Sequence, residues 1–296
     1  MYSSGSSPTG TLNISSNTIS FPTNTQTGST YGIYRFGTAA TATMSNNTIN
    51  SFTASSGIFY GIYNTGNGTT SNNTIAGYTM GGTSTQYPMY ISNANMTAFG
   101  NTVSNVTLTG TATFYGFRIG SGNTTSSFYN NSISNITTRG TTYCIYAASP
   151  TGMDAYNNSV SNITATGNTS NLSGFYLTGG SGINFNRNKI ANLTGTKAGS
   201  SVYGISIVSG SSTITNNVIG DLKTPIASST SSDRIRGISI TATATNTSHV
   251  VDYNTIYLNA SSTGTSFSTA GIFQNSNATA TSANLTLRNN VVINLS

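Results

Sequence analysis

The chain has 296 residues, with 10 Lys and Arg against 4 acids, all of them Asp, for a formal net charge of +6. Charged residues make up 5%, where an ordinary soluble domain carries roughly 25%. One histidine (His249), one cysteine (Cys144) and no tryptophan exclude an internal disulfide framework and leave little material for acid–base or metal chemistry.

No run of residues approaches the ~18 apolar positions of a membrane span. The opening Met1-Tyr2-Ser3-Ser4-Gly5 has neither the basic region nor the apolar core of a signal peptide. The positive charges are scattered, so they form no nucleic-acid footprint. Abundant Ser, Thr, Asn and Gly would suit a disordered linker. Seventeen Tyr, 12 Phe and only 5 Pro argue against that, and internal repetition decides it.

Along the chain, Asn-x-Ile/Val recurs ten times, at Asn17, Asn47, Asn73, Asn101, Asn131, Asn158, Asn188, Asn217, Asn254 and Asn290. The intervals are 30, 26, 28, 30, 27, 30, 29, 37 and 36 residues. A second anchor lies about half a period on: Tyr31-Gly32-Ile33-Tyr34, Tyr60-Gly61-Ile62-Tyr63, Tyr87-Pro88-Met89-Tyr90, and so on to Gly271-Ile272-Phe273. Two anchors kept in phase mark a repeat architecture. The apolar runs are short, alternate with period 2, are rich in Ile, Val, Thr, Tyr and Phe, and are broken by Gly, Asn and Ser, which are strand and turn signals. Helical repeats, leucine-rich repeats and propeller blades do not fit this period and composition.

A coil of about 26–30 residues with three short strands fits a parallel β-helix. The asparagine has two physical uses there. It tolerates the left-handed backbone of a tight turn, and when stacked its amide can donate to the asparagine carbonyl of the next coil, forming a ladder. The sequence resembles the right-handed parallel β-helices of the pectin-lyase-like class, in which asparagines stack at one turn and aliphatic residues line the interior. That resemblance implies a fold and no particular activity.

Counting by twos from the anchors assigns the faces. Three columns should form the core: Ile14, Met44, Thr70 and onward to Leu287; Ile19, Ile49, Ile75 and onward to Val292; and Ile33, Ile62, Met89 and onward to Ile272. Outside the last column stands a position reading Tyr34, Tyr63, Tyr90, Arg118, Tyr146, Tyr176, an aromatic stripe at the ~4.7–4.9 Å strand spacing. The small residues on its other side (Gly32, Gly61, Pro88, Gly116, Cys144) should make a flat groove beside it. Two readings of the stripe stand: stacking that staples the coils, or a contact face for glycan or protein. A second outward pair, Thr43/Ser45, Thr69/Ser71, Thr97/Phe99, Ser127/Tyr129 and Asp154/Tyr156, opens as a threonine array of the kind found on ice-binding solenoids, then gives way to aromatics.

Charge gathers in the long coil after Asn217, where Asp221, Lys223, Asp233, Arg234 and Arg236 hold five of the 14 charged residues. The span 220–236 reads as a loop insertion in an otherwise single domain, 1–296. A polysaccharide lyase or hydrolase would need a carboxylate cluster or an acid pair. Asp221, Asp233 and Asp252 are the sole candidate trio, and a cross-coil salt bridge between Asp252 and Arg288 is the simpler account of one of them. Asp154 is isolated, His249 falls on inward parity, and Cys144 reads as packing. The dense Asn-x-Ser/Thr sequons (Asn135, Asn162, Asn192) arise from composition.

Neither end shows a capping element, which leads us to expect a segment of a longer array or a subunit with covered ends. The coils also look like the repeat regions of large secreted surface proteins of Bacteroidota exported by type IX secretion, which implies a stalk or adhesive fibre. The expectation is an all-β, right-handed parallel β-helix of about ten coils, roughly 45–50 Å long, non-catalytic, without metal or cofactor, and extracellular or at the cell surface. Its expected partners are copies of itself or adjoining repeats stacked end to end, with surface glycans as a further candidate, and no nucleic acid or membrane insertion. A carbohydrate-binding or polysaccharide-degrading β-helix and an ice-binding β-solenoid stand as alternatives.

Overall fold

The computed structural model describes residues 2–4, 11–21, 27–37, 41–92, 95–121, 125–168, 170–228, 233–242, 246–275 and 283–296. Among the described residues every regular element is a β-strand. The strands fall into three parallel sheets of ten, each linking every third strand in sequence. The second coil shows the plan: Thr30–Phe36 in the first sheet, Ala42–Ser45 in the second, Thr48–Ala54 in the third. The chain is thus an all-β parallel β-helix, its winding in the right-handed sense that parallel crossovers favour.

Register is set by like residues meeting like. Ile49 pairs with Ile75, Ile75 with Val103 and Val103 with Ile133 in the third sheet. A one-residue slip would turn each of these apolar side chains to solvent. The three inward columns are buried along the shaft, with Ile33, Met44, Ile75, Phe128, Ile205 and Ile256 all inaccessible to solvent. The columns end differently: Leu287 and Val292, which parity assigns to the core, lie on the last of the ten rungs and are exposed to 49% and 43%.

The corner between the second and third sheets is built by two residues. The left-handed one precedes the ladder asparagine: Ser16, Asn46, Asn72, Asn130, Asn157, Arg187, Asn216, Tyr253 and Asn289 all have φ between 51° and 58°, and Gly100 has 65°. This corrects the expectation that the ladder asparagine itself takes the strained backbone. The preceding residue makes the turn, and the ladder residue is left free to aim its amide inward. A second left-handed column interrupts the third-sheet strands at Ser51, Gly77, Asn105, Asn135, Asn162, Asn192 and Asp221.

The expected insertion 220–236 is also corrected. Val218–Lys223 continues the third sheet and Ile235–Ile240 belongs to the first. The excursion is confined to residues 224–234, of which 229–232 lie outside the described residues. Leu222 is buried and Asp221 takes the left-handed place that Asn192 holds one coil earlier, so 220–223 obey the repeat.

Candidate functional site

The inner asparagines form one unbroken ladder. Asn17 Nδ2 donates to Asn47 Oδ1 at 2.8 Å, Asn47 to Asn73 at 2.9 Å, and the series runs to Asn254 and Asn290 at 3.0 Å. Each Oδ1 from Asn47 onward also accepts the backbone N–H of the asparagine one coil before, as Asn158 Oδ1 does from Asn131 at 3.0 Å. From Asn47 onward, the second amide hydrogen reaches the carbonyl of the preceding coil's core residue, as in Asn131 Nδ2 to Ala98 O at 3.1 Å. Eight of the ten, Asn47 to Asn254, are exposed by 1% or less. Every polar atom is therefore matched inside the corner, which burial demands.

The sequons have a backbone cause. Asn135, Asn162 and Asn192 sit in the second left-handed column, which asparagine tolerates better than most residues. They make an exposed outer ladder: Asn192 Nδ2 donates to Asn162 Oδ1 at 2.6 Å, Asn162 to Asn135 at 3.1 Å and Asn135 to Asn105 at 3.3 Å. Its donors point toward earlier coils, opposite to the inner ladder.

The tyrosine surface is wider than one stripe. Tyr34, Tyr63 and Tyr90 stack at 4.9 and 4.7 Å, Arg118 lies over Tyr90 at 4.5 Å, and Tyr146 and Tyr176 stack at 5.6 Å. Beside them runs a second column that parity counting missed: Tyr31, Tyr60, Tyr87 and Tyr115 stack at 4.9, 5.0 and 5.2 Å, within 10° of parallel, and Tyr143 follows at 5.3 Å, tilted by 31°. The two columns meet edge to face, with Tyr60 against Tyr63 at 5.2 Å and 90°. The expected flat groove is absent there. Gly32 and Ile33 both point inward, so the outward residues flanking them are three apart, and a Cβ on Gly32 would meet Ile49 Cδ1 at 2.6 Å and Gly61 O at 2.5 Å. The recurring Tyr-x-x-Tyr was the available signal. Burial, with further contributions from neighbouring tyrosines, pushes Tyr60 up to about 12 and Tyr143 higher still.

On the second sheet the threonine run also gives way to aromatic stacking, Phe99 on Tyr129 at 5.1 Å and Tyr129 on Tyr156 at 4.8 Å. A longer threonine column runs on the third sheet, where Thr53, Thr79, Thr107, Thr137, Thr164 and Thr194 pair in register.

The carboxylates are dispersed. Asp221 pairs with Lys223, Asp233 lies 3.8 Å from Arg236, and Arg288 Nη2 is 3.0 Å from Asp252 Oδ2, with Asn289 Nδ2 donating to Asp252 at 3.2 Å. Asp154 accepts from Asn184 at 2.6 Å. Among the described residues no three His, Cys, Asp or Glu gather as a metal site would require. His249 is buried with Nδ1 3.0 Å from Ser212 Oγ, and desolvation lowers its pKa. Cys144 is free and buried, and burial pushes its thiol up. Sequence reading also missed a polar pocket in the core, where buried Arg35 donates to Asn64 Oδ1 at 3.0 Å and Asn64 Nδ2 donates to Thr70 Oγ1 at 3.2 Å.

A groove of about 680 Å³ lies at the turn from the third sheet to the first, lined by turn residues of successive coils that include Thr111, Arg139, Thr166 and Lys197.

No protein-family model and no curated protein sequence matches the chain. Two solved structures are similar over most of its length. One is the surface protein and adhesin PfbA of Streptococcus pneumoniae, at 10% identity, covering 92% of this chain and 91% of that one with a TM-score of 0.22. The other is the mannuronan C-5 epimerase AlgE6 A-module of Azotobacter vinelandii, at 14% identity, covering 94% and 91% with a TM-score of 0.22. Likeness at this level transfers no residue role to this chain.

Proposed function

We propose that the chain is a non-catalytic structural or adhesive β-helix module that works outside the cell. The supporting observation is how its outward side chains are spent. Inside the tyrosine columns ring faces are covered by the neighbours above and below, as Tyr60 is between Tyr31 and Tyr87 at 4.9 and 5.0 Å, or by the Arg118 guanidinium, as over Tyr90 at 4.5 Å. Such an interior ring offers a sugar its edge and hydroxyl and no open face. The columns act along the axis and staple one coil to the next, as the two asparagine ladders do. The dispersed carboxylates suit this reading. Axial partners, copies of the chain or adjoining coils, would continue the inner ladder, because Asn290 holds the donors and Asn17 the acceptor that a stacked coil would use.

Two measurements test the reading. Electron microscopy of the purified chain across a concentration series should show stiff rods about 45 Å long that join along their axis. Monodisperse single rods at every concentration would remove the axial-partner part. Incubation with neutral and acidic polysaccharides should leave their length and composition unchanged. Turnover abolished by substituting Asp154, Asp233 or Asp252 would overturn the non-catalytic part.

A further inference from the structure

The groove between the third and first sheets carries an inference independent of the scaffold role. Its walls come from the turns of four successive coils, and its floor is flattened by glycines. A Cβ on Gly140 or Gly167 would collide with the carbonyls of Ala112 and Arg139 in the coil below, so the turns can stack this closely only without side chains. Its side chains are those of Thr, Ser, Asn, Arg and Lys, and none is a carboxylate. Arg139 spends one Nη1 hydrogen on the carbonyl of Thr109 at 3.0 Å. Among the described residues its remaining donors and the ammonium of Lys197 have no protein partner, and neither do the side chains of Thr111, Thr113, Thr141 and Asn168. Elsewhere on the shaft Lys223 and Arg288 are engaged by aspartates and Arg118 by tyrosine rings, while Lys189 stands alone on the surface rather than beside a second cation in a groove.

Arg139 and Lys197 stand two coils apart, about 10 Å along the axis at the strand spacing. An extended chain lying along the groove would meet a cation at each end of that interval and hydroxyl donors between. Hydroxyl and amide donors approaching from several directions need an anion with several acceptor oxygens. A tetrahedral oxyanion ester offers three, against two for a carboxylate, and the guanidinium fork of Arg139 matches it. We infer that this groove binds an extended polymer bearing phosphate or sulfate ester groups.

The test uses the whole chain and three probes: dextran sulfate, dextran phosphate and neutral dextran, followed by titration calorimetry at several salt concentrations. Binding of one or both anionic polymers, weakening with salt, is expected, with none to neutral dextran. The polymer that binds identifies the ester. Arg139→Ala with Lys197→Ala should weaken binding by about tenfold and flatten its salt dependence. A charge-matched control, Arg187→Gly with Lys189→Ala, removes two cations outside the groove and should leave affinity unchanged. All four side chains lie on the surface, and circular dichroism checks that both variants fold. Equal losses in the two double variants would show diffuse attraction to net charge and overturn the inference. So would failure of the unaltered chain to bind either anionic polymer.

Discussion

Removing one amide from the middle of the inner ladder tests the principal claim about what holds the coils together. Asn131→Ala deletes two donations, to Asn158 Oδ1 at 3.1 Å and Ala98 O at 3.1 Å. It also removes the acceptor of the Asn101 backbone N–H at 3.0 Å and of Asn101 Nδ2 at 2.9 Å. Four hydrogen bonds are lost at a position 1% exposed, and Asn101 and Ala98 keep groups that water cannot reach. At about 1 kcal/mol per bond, the cost is about 4 kcal/mol. Asn131→Asp should cost more, because a carboxylate cannot donate to the Ala98 carbonyl and would be buried charged. The contrast is Asn162→Gly in the outer ladder. It deletes bonds to Asn135 and from Asn192 in an exposed setting, while glycine keeps the left-handed backbone, so the loss should stay near 1 kcal/mol. Urea unfolding followed by circular dichroism reads both, from the shift of midpoint at constant slope. A loss under about 1 kcal/mol for Asn131→Ala, or one no larger than for Asn162→Gly, would refute the ladder as a principal stabiliser.

Alkaline pH should unfold the chain where mild acid or base does not. Burial raises the folded-state pKa of Tyr60 from 10 to about 12 and raises Tyr63, Tyr87, Tyr115 and Tyr176 as well. The unfolded chain therefore loses protons first, so the stability from the neutral rings is complete below pH 10 and lost on the way to 12. Melting temperature against pH, with phenolate absorbance, should show both changes together, and a melting temperature flat to pH 12 would contradict it. His249, lowered from 6.5 by burial, has the opposite sense and should withdraw stability as pH falls below 6.5. At the corners, Tyr253 holds φ 55° with its ring mostly exposed, so Tyr253→Gly should stabilise by about 1 kcal/mol, and calorimetry showing a loss would mean its ring carries unseen weight. Gly116→Ala should destabilise by about 2 kcal/mol or more, since the new methyl would meet Ile133 Cδ1 and come within 2.6 Å of the Cys144 carbonyl; a neutral result would show that the first sheet can yield there.

What could be read in advance followed from which positions lack alternatives. A buried column with two donors and two acceptors per residue admits asparagine and little else, so the ladder and the aliphatic columns were visible as spacing. The second tyrosine column was not, because strict alternation fails where Gly32 and Ile33, or Gly61 and Ile62, point inward together. The left-handed residues were hidden by the same habit of assigning the turn to the most regular residue. Ser16, Arg187 and Tyr253 make the same corner as Asn46, which shows that stacking rather than residue preference dictates it. The groove was out of reach altogether. Its walls come from turns of coils 27–30 residues apart, where Leu-Thr-Gly-Thr at 108–111 recurs at 193–196 but the cations Arg139 and Lys197 do not recur, and only the register of the sheets brings those two to one side.

The scarcity of charge follows from that register. Neighbours in a column are ~4.8 Å apart, where two like charges repel by about 3 kcal/mol at an effective dielectric of 20 and by about 1 kcal/mol in water. Among the paired positions described, no two like charges occupy adjacent rungs. Arg118 lies between Tyr90 and Tyr146, Asp252 faces Thr215 and Arg288, and Lys223 follows Thr194. The outward pair Thr137, exposed, and Thr164, half-buried, allows the rule to be tested, since the two are directly in register. Lysine at both should cost about 1 kcal/mol more than the sum of the single changes. Lysine at one and glutamate at the other should cost less than their sum, and both couplings should shrink in 1 M salt, where the screening length falls to about 3 Å. Couplings of the same sign in the two pairs would mean that side-chain bulk, not charge, keeps these columns neutral.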